Sequence, residues 1–166
     1  MVDFSRLSAN WYQWAPGVGG GEISVSTSCN DCKILFSTDD YSVHLRNDGH
    51  WWVVDTVDDR GRRRNGDAKL SSFALTEKYL IWHWATTARS SLASGRLGAG
   101  LYRLGYAPGI EVSQVDVANI KICLHGDCAI LVMGDATIFS HLMKKPVDEI
   151  EETAWGGGTY TSIAID

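Results

Sequence analysis

No stretch of this chain approaches 18 consecutive apolar residues, so a membrane-spanning helix is not expected. The opening segment from Met1 to Trp11 has no basic-then-apolar leader, and the protein is accordingly expected to be cytoplasmic. Positive charge is in short supply. The formal net charge is −5, which argues against a general nucleic-acid binder, because such proteins concentrate cations to neutralise phosphates. Signatures of chemistry are also missing. There is no Gly-x-Ser-x-Gly elbow for a nucleophilic serine. The run Gly17-Val18-Gly19-Gly20-Gly21 lacks the Lys-Ser/Thr that would bind phosphate and magnesium, and it does not follow a strand. Only three prolines punctuate the chain, and Pro16, Pro108 and Pro146 all fall at expected breaks.

The 166 residues are 45% hydrophobic, enough for a real core. Seven tryptophans are an excess for this length. Because tryptophan is enriched at interfaces and seldom wholly interior, only part of that excess is expected inside.

The stretch from Tyr41 to Thr56 organises the rest. Asp48-Gly49 favours a two-residue hairpin turn, since both central residues can adopt positive φ. That turn pairs Arg46 with Trp51 and Leu45 with Trp52. Period-two alternation then puts Tyr41, Val43, Leu45, Trp52 and Val54 on a core face. Ser42, His44, Arg46, Trp51, Val53 and Asp55 take the other, mixed face. One wet face indicates an antiparallel sheet.

Around this hairpin the pattern predicts a short helix over Asp3 to Tyr12 and strands at Glu22 to Ser26 and Lys33 to Phe36. Val57 to Leu70 reads as an exposed loop, being polar and holding Arg60, Arg62, Arg63, Arg64 and Lys69. A helix capped by Ser71 or Ser72 runs to about Ala93. Further strands are expected at Ile110 to Val115, Ala118 to Leu124 and Ala129 to Met133, with a turn at His125-Gly126-Asp127. Helices follow at Ala136 to Lys144 and Asp148 to Thr153, then an edge strand at Tyr160 to Ile165. The expected fold is α+β, with antiparallel sheets packed by helices in two similar small lobes. These are residues 1–95 and 109–166, joined by a glycine-rich connection at 96–108.

The cysteines fall as Cys29-x-x-Cys32 and Cys123-x4-Cys128. In a cytosolic protein the default is free thiols. The alternative is a zinc or redox site using all four, although the second spacing suits a strained or absent disulfide as well as a metal. Of the histidines, His83, mid-helix between Trp82 and Trp84, and His141, on a helix flank, read as surface or boundary residues rather than bases, and no catalytic residue or cofactor is assigned.

Binding is the better account. An exposed Trp51 against the Arg46 guanidinium makes an anchor of the kind found at interface hot spots. The Arg60, Arg62, Arg63 and Arg64 loop offers contacts to an acidic partner, with RNA as an alternative. Glycine loops beside Trp14 and Trp155 provide pliable surface, and Asp148, Glu149, Glu151 and Glu152 provide negative charge for a basic one.

The succession of aromatic hairpin, polar loop, Phe73 to Leu80 and Asp135 to Leu142 is similar to bacterial immunity proteins of polymorphic toxin systems. It resembles in particular the actinobacterial group that includes the antitoxin of the tuberculosis necrotizing toxin, an NAD glycohydrolase. The resemblance covers roughly Phe36 to Glu152. It implies a non-catalytic cytosolic inhibitor that binds one toxin domain and occludes its NAD-binding cleft. No individual inhibitory residue carries over.

Overall fold

The structure, a computed structural model, describes residues 2–156. Eight strands form one antiparallel sheet: β1 Ser24–Ser26, β2 Ile34–Ser37, β3 Ser42–Asn47, β4 Trp52–Val57, β5 Arg63–Leu70, β6 Glu111–Gln114, β7 Asn119–Leu124 and β8 Asp127–Val132. Their spatial order is β1-β2-β3-β4-β5-β8-β7-β6. The helices are α1 Ser5–Trp14, α2 Phe73–Ala88, α3 Ser90–Ala93, α4 Ala99–Tyr102, α5 Asp135–Leu142 and α6 Val147–Gly156. The α+β class and antiparallel pairing agree with the sequence pattern. Two similar lobes are not seen; a single sheet runs through both halves, joined where β5 meets β8 at Lys69↔Ile130 and Leu70↔Ala129. The expected strand at Tyr160 to Ile165 lies outside the described residues.

Alternation decides which side chains reach the core. Val43, Leu45, Trp52, Val54, Ala68, Leu70, Ile120, Ile122, Ala129 and Leu131 belong to one buried cluster with Leu7, Trp11, Leu80, Trp84, Phe139 and Ile150 from the helices. All the apolar helix faces therefore meet the same side of the sheet. Trp84 sits at the middle, its ring centroid 5.0 Å from both Trp11 and Phe36. Five tryptophans (Trp11, Trp14, Trp52, Trp82 and Trp84) are buried. Most of the tryptophan excess therefore serves packing, more than composition indicated.

Several boundaries have local causes. The Ser72 hydroxyl accepts from the Leu75 N–H at 3.2 Å, capping α2 as expected. The helix stops at Ala88 rather than Ala93, because Arg89 turns extended and its guanidinium donates to the Ala154 carbonyl at 2.9 Å. The segment from Val57 to Leu70 is mostly strand, not loop: Asp58 Oδ1 accepts from the Arg60 and Arg62 N–H groups and folds a tight turn, so β5 can pair with β4. The glycine run at 17–21 is held in place as well. The Gly20 N–H donates to Asp40 Oδ1 at 2.8 Å and the Gly20 carbonyl accepts from Asp39.

Candidate partner-binding face

The face of the sheet turned away from the helices is built by the other half of each strand's alternation. The strand registers place Arg46, Val53, Lys69, Ile130, Lys121 and Ser113 in one row across β3, β4, β5, β8, β7 and β6. Val53 is fully buried yet lies outside the helix-packed cluster, so this face has a covered centre of its own.

Trp51 belongs to this face, but not through the expected pairing. The observed register pairs Arg46 with Val53 and Leu45 with Val54. The turn is therefore wider than Asp48-Gly49, and Trp51 leaves the strand. Asp48 fixes it there, Oδ1 accepting from the Trp51 N–H at 2.7 Å and the His50 N–H at 3.0 Å. Those same bonds hold the Asp48 carboxyl below its ordinary range. The cation over the indole is Lys121, with Nζ 5.9 Å from the ring centroid. The tryptophan thus reaches along the row toward β7. On the same face, Val132 and Val115 are 40% and 51% exposed, toward the β6 edge.

Arg46 is engaged elsewhere. Its Nε donates to Asp55 Oδ2 at 2.7 Å. The same oxygen accepts from Arg63 Nη2 at 3.1 Å, and Asp55 Oδ1 accepts from the Gly66 N–H at 2.7 Å. Gly66 sits at φ 69 in an irregularity of β5 opposite Asp55, a conformation that suits glycine. Asp55 is 1% exposed. Burial alone would raise its carboxyl, but the two guanidinium groups and the backbone N–H outweigh burial and hold it below the usual value. Arg46 and Arg63 are thus fixed by an internal carboxylate, whereas Arg60, Arg62 and Arg64 project from the exposed β4–β5 tip.

The remaining expected contact residues lie in the helix layer, on the opposite side of the sheet. Trp14 is buried and Trp155 is exposed, with ring centroids 5.6 Å apart. Arg6 pairs with Asp148 at 2.7 Å and Glu151 at 2.6 Å, and Lys145 with Glu149 at 2.8 Å. Glu152 is exposed. The structure therefore sorts the sequence candidates into two separate surfaces.

Both cysteine pairs are disulfides, where free thiols were expected: Cys29–Cys32 on the turn before β2, and Cys123–Cys128 directly opposed across β7 and β8. Among the described residues the four sulfurs do not form a single set. The set that does converge is Cys29, Asp31, Cys32 and His44. His83 is half-buried and stacked on Tyr79 at 5.5 Å, and burial lowers its pKa; His141 contacts the Gly105 carbonyl. Sequence reasoning missed Lys69, Lys121 and Ile130. The signal for Lys69 was there, since Asp67 and Lys69 alternate with the apolar Ala68 and Leu70.

Among the described residues no helix is long and apolar enough to cross a membrane. A family model described as Immunity protein 61 matches residues 20–155. No curated protein matches the chain. Among solved structures, Rv3902c from M. tuberculosis shares the fold with a TM-score of 0.67 at 15% identity, covering 93% of this chain and 92% of that one.

Proposed function

The chain belongs to the Immunity protein 61 family, and from that membership we propose that it holds one cognate toxin domain through the helix-free face of its sheet. As an immunity protein it is non-catalytic and works by binding a protein partner of a toxin system. The finer reading is that it acts in the cytoplasm and occludes the active site of an NAD glycohydrolase in a one-to-one complex. A toxin made in the same cell must be held tightly, which favours a preformed surface with a few anchored aromatics.

The observation that carries this reading is the presentation of Trp51. It is partly exposed, fixed by Asp48 and flanked by Lys121, on the face that also carries exposed Val132 and Val115. A rigid aromatic beside cations and apolar surface has the composition of an interface core. Arg60, Arg62 and Arg64, at the β4–β5 tip at the far end of β4, supply peripheral charge, with Arg46 and Arg63 tied to Asp55 in between. Trp14, Trp155, Asp148, Glu149, Glu151 and Glu152 form a second, peripheral surface for basic regions of the partner, in keeping with the net charge of −5.

Co-expression with the product of the adjacent gene, followed by NAD-hydrolysis assays, tests the proposal. A one-to-one complex with hydrolysis suppressed at equimolar chain is expected. Co-purification of a partner that leaves NAD intact would overturn the NAD glycohydrolase assignment. Active toxin in the presence of excess folded chain would overturn the blocking mechanism. We also propose that residues 96–108 separate two folding units sharing the sheet, which pulse-labelled hydrogen exchange would register as two protection phases rather than one.

A further inference from the structure

We propose that Cys29, Cys32, His44 and Asp31 form a zinc site when the Cys29–Cys32 disulfide is reduced. The four side chains come from only two elements. Cys29, Asp31 and Cys32 line the turn before β2, and His44 stands on β3, the neighbouring strand. Their ligand atoms all lie within 4.8 Å of one another. His44 Nδ1 is 4.0 Å from each sulfur and 3.6 Å from Asp31 Oδ1. Cys29 Sγ is 3.2 Å from the same carboxylate oxygen. Zinc bonds of about 2.0–2.3 Å to nitrogen, oxygen and sulfur put tetrahedral ligands about 3.3–3.8 Å apart. Once the sulfurs are free to separate, the set needs only small side-chain adjustment.

The atoms around the cluster are placed as a zinc site requires. Ser42 Oγ lies 3.2 Å from His44 Nε2, which orients the ring with Nδ1 toward the sulfurs. Arg63 Nη2 holds Asp31 Oδ2 at 3.0 Å and is itself tied to buried Asp55 at 3.1 Å. That leaves Asp31 Oδ1 for the metal. Two thiolates, one carboxylate and Zn²⁺ sum to a single negative charge, which the Arg63 guanidinium offsets. A cavity lined by Asn30, Asp31, Cys32, Lys33, Arg46 and Asn47 adjoins the cluster and gives the ion a route in.

The chemistry balances without an unnamed component. A dithiol reductant gives two electrons and two protons to the disulfide and leaves as its own disulfide, producing two thiols. Zinc then bonds both sulfurs and displaces both protons to solvent. In reducing surroundings the turn is closed by metal; when a small-molecule disulfide takes the two electrons and, with two protons from solvent, leaves as its dithiol, the sulfur–sulfur bond closes the turn and Zn²⁺ is released. The metal, through His44, would also tie the β1–β2 connection to β3, whereas the disulfide closes only the turn itself. The inference stands on these four residues and does not depend on which toxin the chain meets.

Purified full-length chain, reduced with a phosphine and checked for native circular dichroism, is titrated with Co²⁺ and then back-titrated with Zn²⁺. One Co²⁺ per chain is expected, with the visible bands of tetrahedral cobalt and a thiolate charge-transfer band, all lost to one equivalent of Zn²⁺. The oxidised chain binds none. Outer-shell partners alone are worth about 10–100-fold in affinity, so His44→Asn and Cys32→Ser should each weaken binding at least about 100-fold. Asp31→Asn should weaken it as well, with the thiolate charge-transfer band retained. The double variant Cys123→Ser, Cys128→Ser keeps full binding. Absence of stoichiometric uptake by reduced, folded protein overturns the proposal. So does undiminished binding in folded His44→Asn, or binding that is lost only in the Cys123, Cys128 double variant.

Discussion

Asp55 shows what single residues contribute to this protein. It joins β3, β4 and β5 by accepting from Arg46, Arg63 and Gly66 while 1% exposed. Removing one partner of a buried ion pair costs about 3–5 kcal/mol, so Asp55→Ala should lower the urea unfolding free energy by about that amount. A loss below about 1 kcal/mol would mean that the arginines are solvated instead. Two carboxylates should respond to pH in opposite directions. Asp55 has a lowered folded pKa, so its contribution is present above the unfolded value and is lost as pH falls through the folded one. Asp135 is raised from 3.8 to about 6, by burial and by Asp67 nearby. Its folded form binds the proton more tightly, so a penalty appears as pH rises from about 4 to about 6 and persists above. Asp135→Asn should therefore gain thermal stability relative to the parent at pH 7, with the gain shrinking toward pH 4. A difference independent of pH across that range would contradict the raised pKa. Sequence reading put Trp51 and Arg46 together as an anchor pair, but the structure separates them: a carboxylate nine residues further on in sequence takes the arginine, and Lys121 takes its place over the indole.

At the scale of elements, the Tyr41 to Thr56 hairpin shows what was legible and what was not. The expected pairing of Arg46 with Trp51 became Arg46 with Val53. A shift of two residues preserves side-chain parity, so the core face was read correctly although the register was not. The cause is the Asp48 side chain, whose bonds to the His50 and Trp51 N–H groups stabilise a wider turn than the dipeptide alone implies. His125-Gly126 does form a two-residue turn, with φ 51 and 88 between Leu124 and Asp127. The strand β5 was hidden by its two arginines and Gly66, because its partners, not its composition, make it a strand. The start of α2 was legible because a serine cap is a local signal. Ser72→Ala should cost about 1 kcal/mol in chemical denaturation, and no measurable change would show that packing alone sets the start of α2.

At the scale of the molecule, the described residues form one antiparallel sheet with a single layer of helices, and that asymmetry gives two unlike surfaces. The helix side encloses the aromatic core and carries the acidic α6. The other side presents Trp51, Lys121 and exposed valines above the Asp55 network. Sequence could not show that the proposed contacts fall on opposite sides, because Trp14 and Trp155 meet only through packing of α1 and α6. If the sheet side holds the toxin, Trp155→Ala should change affinity much less than Trp51→Ala; the reverse order would move the site to the helix layer. The most direct measurement is calorimetric titration of the cognate toxin with the parent chain and with folded Trp51→Ala. The account predicts one-to-one binding, weakened by about 2 kcal/mol or more in the variant, which is at least about 30-fold in Kd. Equal affinity for the two proteins would contradict it.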